Sequence, residues 1–423
     1  MKKKIVSILA GMLMLANFAA CGSEGSVTVP ETSPVQVTEP AEEAQAAPED
    51  NTEEHFRIGI VTGSFAQSED DRRGAEAFLD KYGADNVTLA VYPDNFTDEP
   101  DVTIQTIVNL ADDPEMKAII VNQAVDGTTE AFRQIKEKRP DIICIAGEPY
   151  EDFCDIEEVA DLVVSSDFVG RGYLMINTAH ELGCDTFVHI SFERHLEYES
   201  ISRRVAIMKA ACEEFGMKFE MEEAPDPTTD VGVPGAQAYI LEHAPKWVDK
   251  YGTNTAFFCT NDAHTEPLIK VLLEKGGYFI EADLPSPLMG YPGALDLDFT
   301  GDAGDFDKVL NTVEDAVVNA GGAGRFGTWV YSYGYSMSLG LAEHARNVIL
   351  GESDLTNKDD IAKALGSFAE DAEWNGSRYT DAVTGKTSDN VYLVYQDTYI
   401  FGNPGRYMGI TNVEIPEKYF TIY

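Results

Sequence analysis

The chain has 423 residues, of which 73 are Asp or Glu and 31 are Lys or Arg, leaving a formal charge of −42. That length allows two or three domains, and 44% hydrophobic with 10% aromatic residues excludes a disordered polymer. The acidity argues strongly against a nucleic-acid binder, because every phosphate contact would work against the protein's own field.

Lys2, Lys3 and Lys4 precede an apolar run from Ile5 to Ala16, and small residues then lead to Cys21. A basic start, a short apolar stretch and a small-residue cleavage site predict an export signal over 1–20. The run is shorter than the about 20 apolar residues that span a bilayer. Phe18-Ala19-Ala20-Cys21 resembles the bacterial lipobox, although Phe18 departs from the usual Leu. That resemblance implies cleavage before Cys21 and a lipid on its thiol. Residues 21–54 carry nine carboxylates, four prolines and no Lys or Arg, which predicts an extended, self-repelling linker. Membrane anchor, tether and globular body would then follow in order on the extracytoplasmic face.

From His55 onward strands and helices alternate. Phe56 to Val61 reads as a strand, Ser68 to Tyr82 as a helix, Val87 to Tyr92 as a strand and Asp101 to Leu110 as a helix. Ala118 to Val121, Ile142 to Ala146 and Leu162 to Ser165 add three strands. Continuous apolar strands bounded by helices imply a parallel sheet covered on both faces. The series then restarts with a strand at Thr186 to Ile190, a helix at Glu199 to Phe215 and a strand at Phe219 to Glu222. Pro234 to Tyr251 is a helix, Ala256 to Cys259 a strand, His264 to Lys275 a helix, and Tyr278 to Glu281 and Pro287 to Tyr291 two more strands. Two successive α/β series imply two similar lobes enclosing a cleft. From Asn390 the tail alternates as a strand, Val391 to Tyr395, and its aromatics predict that it packs back on the lobes.

At this point the residues carry a family resemblance. Ala256-Phe257-Phe258-Cys259-Thr260-Asn261-Asp262 before a helix resembles the strand, Asn-Asp, helix signature of type I periplasmic binding proteins. Leu288 to Gly293 looks like that family's next strand. Thr328 to Glu352 looks like its returning strand, Tyr-Gly turn and closing helix, and Leu110 to Glu115 like its helix-to-strand joint. The order of these four anchors is the specific part. More narrowly, the chain looks like an uncharacterised family of such lipoproteins. The resemblance implies an α/β fold of two Rossmann-like, doubly wound lobes joined by a multi-strand hinge. It divides the chain into an N-terminal lobe of 55–170 plus 326–352, a C-terminal lobe of 171–325, and a segment 353–423 on the lobes and hinge. It also implies a monomer that binds a small molecule, closes by hinge rotation and docks on an ABC permease, with no cofactor and no enzymatic step. A binding protein that signals to a membrane receptor is the alternative, and a surface-anchored enzyme the third.

Loops after the carboxyl ends of strands are the default cleft wall. They supply Ser64, Phe65 and Gln67, then Asn122 and Gln123, Glu148 and Asp167 from the first series. From the second come Ser191, Phe192, Arg194, His195, Asp230, Asn261 and Asp262, completed by Tyr291, Tyr331 and Tyr333. Asn261 is expected to touch ligand, as the family uses that position, whereas Asp262 is expected first as a helix cap. Glu148 is as readily a solvated carboxylate, and Arg194 with His195 a surface ion-pair cluster. Of Arg203 and Arg204 only one can face inward in helix register. Trp329 is either core or cleft wall. Pro292 stands where sugar-binding members usually place an aspartate, and strand-end aromatics favour a nucleoside or aromatic metabolite.

Three motifs carry less than they suggest. Gly322 to Gly327 matches GxGxxG but follows a helix, so it reads as a crossover near the hinge. Asp296, Asp298, Asp302, Asp305 and Asp307 lack the EF-hand spacing and read as a solvated, helix-capping loop, with calcium the alternative. The histidines show no HExxH spacing, and Cys144, Cys154, Cys184, Cys212 and Cys259 form neither a disulfide framework nor a zinc site.

Overall fold

The structure is a computed structural model that describes residues 55–65, 67–302, 304–369 and 372–423. The export signal, Cys21 and the acidic linker lie outside the described residues. In chain order the strands are β1 (Arg57–Thr62), β2 (Val87–Val91), β3 (Met116–Asn122), β4 (Ile143–Gly147) and β5 (Leu162–Ser166). There follow β6 (Thr186–Ser191), β7 (Lys218–Glu223), β8 (Thr255–Cys259), β9 (Gly327–Thr328), β10 (Asn375–Thr380), β11 (Thr387–Tyr395), β12 (Tyr399–Ile400) and β13 (Arg406–Tyr407).

Two α/β lobes result, each with its own sheet. The first sheet runs β10-β11-β5-β4-β3-β1-β2, parallel throughout except for the antiparallel edge strand β10. The second has β6 between β7 and β8, all parallel. Bridges from Ala256 to Tyr278 and from Phe279 to Phe326 carry it on towards β9, which pairs antiparallel with β12. The inner strands β3, β5 and β6 are almost wholly buried, as a sheet covered on both faces requires.

The chain crosses between the sheets three times. It passes from β5 to the helix Phe168–Glu181, from β9 to the helix Tyr333–Ile349, and from β11 to β12. Phe168–Glu181 packs on the second-lobe helix Glu199–Phe215, and Tyr333–Ile349 on the first-lobe helix Glu69–Tyr82. The pairing resolves the later segments more finely than the expected division. Gly327–Thr328 belongs to a small sheet with β12 and β13 that is bridged to the second lobe through Phe279 and Phe326, and Thr387–Tyr395 is an inner strand of the first sheet.

Two local expectations are corrected. Pro287 to Tyr291 is not a strand. Gly290 takes φ 77°, and Pro292 sits in the first turn of a short helix, Tyr291–Leu295, so the chain turns before it can extend. Tyr333-Gly334 is not a turn but the first helical residues after Ser332, whose hydroxyl accepts the N-cap bond from the Tyr335 amide.

Candidate functional site

The carboxyl ends of β1, β2, β3 and β4 in one lobe face those of β6 and β8 in the other across two adjoining chambers. The outer chamber has a volume of ≈ 340 Å³; Asp70, Asp71, Tyr92, Phe96 and Gln123 face Arg194, Asn261, Asp262 and Glu266 across it. The inner chamber, of ≈ 60 Å³, is walled by Glu148, Tyr150, Ser166, His195, Tyr198, Arg204, Thr260 and Asp283. Tyr150, His195, Asn261, Asp262 and Leu284 belong to both.

Helix contact places the acidic side of the cleft. Gly74 allows the helix Glu69–Tyr82 to meet the Tyr335 carbonyl so closely that a Cβ would clash. The contact brings the first turn of that helix over the start of Tyr333–Ile349. There Ser332 Oγ donates to Asp70 Oδ2 at 2.6 Å, and Asn122 Nδ2 donates to Asp71 Oδ1 at 2.7 Å. Burial raises the Asp70 pKa, and burial with the neighbouring Asp70 charge pushes Asp71 up to about 7. Across the cleft, burial and then Asp283, Asp71 and Asp70 push Asp262 well above the usual carboxylate range.

Asn261 and Asp262 both line the chambers, and the helix cap expected of Asp262 falls to Asn261. Asn261 Oδ1 accepts from the Ala263 amide at 2.9 Å and caps the helix Asp262–Lys275. Asp262 is half-buried on the cavity wall and completes no hydrogen bond among the described residues. An asparagine cap leaves the next side chain free to point away from the helix axis.

The arginines also separate. Arg194 grips Asp226 through Nε and Nη2 at 2.7 and 3.1 Å, and its Nη1 donates to the Tyr198 hydroxyl at 2.9 Å. Arg203 donates to the carbonyls of Thr380, Phe420 and Ile422, fastening the tail. Arg204 is the one that faces inward, its guanidinium 4.9 Å from the Phe258 ring centroid and its Nη2 2.6 Å from Asp283 Oδ1. His195 meets Thr260 Oγ1 at 3.1 Å, and burial followed by the Arg194 charge pushes it down to about 4, so its ring is neutral. An aromatic file, Tyr92, Phe96, Tyr150 and Tyr198, follows the wall with centroid spacings of 5.9, 6.0 and 5.7 Å.

Residues 56–327 match the family described as "Protein of unknown function (DUF3798)". The chain belongs to the DUF3798 family. Two uncharacterized proteins of Treponema pallidum (strain Nichols) are relatives. One is 42% identical over 209 residues, 49% of this chain and 94% of its own length; the other is 38% identical over 180 residues, 41% and 81%. A crystal structure of a protein of Clostridium difficile 630, described as a "Putative transcriptional regulator", superposes with a TM-score of 0.69 at 23% identity. It covers 82% of this chain and 99% of its own. A sugar ABC transport substrate-binding protein of Bordetella parapertussis 12822 superposes at 0.50 with 9% identity, covering 87% and 93%. These likenesses show the fold, that of the two-lobed type I periplasmic binding proteins.

In this DUF3798 chain Phe65, Gln67, Gln123, Arg194, His195, Asn261 and Asp262 line the outer chamber, and Glu148 the inner. Glu148 is already engaged by the Ser165 and Ser166 hydroxyls, the Ser166 amide at 2.7 Å and the Tyr333 hydroxyl. The other candidates lie off the chambers. Ser64 turns the loop, its carbonyl accepting from Gln67 and Ser68. Asn122 sits beneath Asp71, and Asp167 caps its helix by accepting from the Gly170 amide at 2.7 Å. Ser191 bonds Thr260 at 2.8 Å, and Phe192 is buried against the His195 ring. Asp230 is exposed, while Tyr291 is buried in the second-lobe core with its hydroxyl on the Gly327 carbonyl. Tyr331 packs with Phe306, and Trp329 is core.

Asp70, Asp71, Tyr92, Phe96 and Tyr150 went unread. The rule about strand ends, applied also after β2, would have found Tyr92 and Phe96. The Asp pair read as ordinary acidic residues at a helix start. In the acidic loop Asp298 accepts from Thr300, and Asp305 from the Lys308 amide. Among the described residues no group of three or more His, Cys, Asp or Glu could hold a metal ion, and no helix is long and apolar enough to cross a membrane.

Proposed function

We propose that the chain is an extracytoplasmic solute-binding lipoprotein, anchored through Cys21, that captures a small organic molecule between its lobes and delivers it to an ABC importer. The observation that carries this reading is the ≈ 340 Å³ cavity walled by side chains of both lobes at the carboxyl ends of their strands. A solute there touches both lobes only when they are together, so its binding energy favours closure. The closed surface is then what a permease would read. Aromatic rings along one wall suit a flat or mixed-polarity solute, and the polar groups opposite fix its direction.

Native mass spectrometry of the protein from its own cells should find one small molecule at unit stoichiometry. Added back at a hundred times its Kd, that molecule should stabilise the protein by about 2.7 kcal/mol. Deleting the gene should abolish uptake of the same solute at trace concentration. Intact uptake with a lost transcriptional or motile response would establish sensing instead.

A further inference from the structure

The two chambers differ in chemistry, and the difference defines a ligand class. Arg204 in the inner chamber is only 3% exposed; its Nη2 is paired with Asp283 Oδ1 at 2.6 Å, while its Nε completes no hydrogen bond among the described residues. A buried guanidinium with an unused donor is costly unless an acceptor enters. Asp262, on the wall of the same chamber, has acceptors to spare. A volume of ≈ 60 Å³ admits a small polar group. The outer chamber, with Tyr92, Phe96 and Tyr150 on its wall, admits a ring.

We propose that the ligand is an aromatic nitrogen compound whose polar head presents a hydrogen-bond acceptor to Arg204 beside an N–H donor to Asp262, its ring lying in the outer chamber. This rests on the solute-binding reading above and specifies it. The head carries no net negative charge. Asp70, Asp71 and Glu266 add carboxylates to the outer wall, and the cation there, Arg194, is taken by Asp226. A phosphorylated or purely carboxylate ligand would meet the Glu266 carboxylate with no unpaired cation beside it in the outer chamber. A zwitterionic aromatic amino acid and a nucleobase with adjacent donor and acceptor atoms present the same head.

The test is calorimetric titration of the purified protein with two series: L-tryptophan, tryptamine and indole-3-propionate, then adenosine, guanosine and purine riboside. One series should contain a parent that binds, and removal of its donor or its acceptor should weaken it by at least about tenfold; the responding series identifies the source. Asp262→Asn should weaken the parent similarly and leave the donor-less analogue unchanged. Arg204→Lys should weaken the parent and, in the indole series, leave tryptamine, which lacks the acceptor, unchanged. Asp230→Asn, removing the same charge from an exposed site, should change neither. Equal binding of an analogue lacking either group, an unaltered Kd in Asp262→Asn, or no binding in either series would overturn the proposal. A sugar without an aromatic ring, such as D-glucose, seated in the cleft would overturn the ligand class and leave solute capture standing. Absence of any bound or co-purified solute would remove both.

Discussion

The rings of Tyr150 and Tyr198 lie 5.7 Å apart, one carried by each lobe, where the two chambers meet. Such a pair contributes about 0.5–1.5 kcal/mol beyond the area it buries. In Tyr150→Ala the unliganded lobes should separate further, read as a larger radius of gyration by small-angle scattering. An unchanged radius would show that this contact does not hold them.

Glu281 ties together residues that flank all three crossings. Its carboxylate accepts from Arg171 Nε at 2.8 Å, Trp329 Nε1 at 2.9 Å and Thr398 Oγ1 at 3.1 Å, with Glu281 1% and Arg171 0% exposed. Glu281→Ala leaves a buried guanidinium without its counter-charge and should cost about 3–5 kcal/mol in urea unfolding. A loss below about 1 kcal/mol would mean that the Ala282 and Asp283 carbonyls, which also accept from Arg171, suffice alone.

Asp71 sets a pH dependence whose sign follows from burial. Its pKa is raised to about 7 from an ordinary 3.8, so the folded state binds its proton more tightly than the unfolded chain does. Stability is therefore full below about pH 4 and is lost as pH rises towards 7. Asp71→Asn should raise the Tm at pH 7.5, and the advantage should shrink by pH 4.5. An equal shift at both values would place the effect elsewhere.

β11 lies between β5 and the edge strand β10, with Val391 to Tyr395 buried. Truncation after Lys386 removes an inner strand of the first sheet and leaves the β5 edge and its apolar face open. The shortened chain should fail to give a cooperative melting transition. A truncated protein with an unchanged Tm would contradict the pairing.

By itself the sequence determined the order of strands and helices and the doubling of the α/β series. Apolar runs such as Ile119-Ile120-Val121 and cap residues such as Asp305 act within a few positions, so local pattern is enough to place them. The strand-end rule also reached Gln123, Arg194 and Asn261. Only the tertiary structure decided that the cap falls to Asn261 rather than Asp262 while both line the cavity, because both residue types satisfy a cap and the choice depends on what stands opposite. It likewise decided that Arg204 turns inward while Arg203 holds the tail, and that Asp70 and Asp71 form a cleft wall. Those outcomes depend on Gly74 against Tyr335 and on a strand from residue 387 pairing with one from residue 162, contacts between distant positions that no local period encodes.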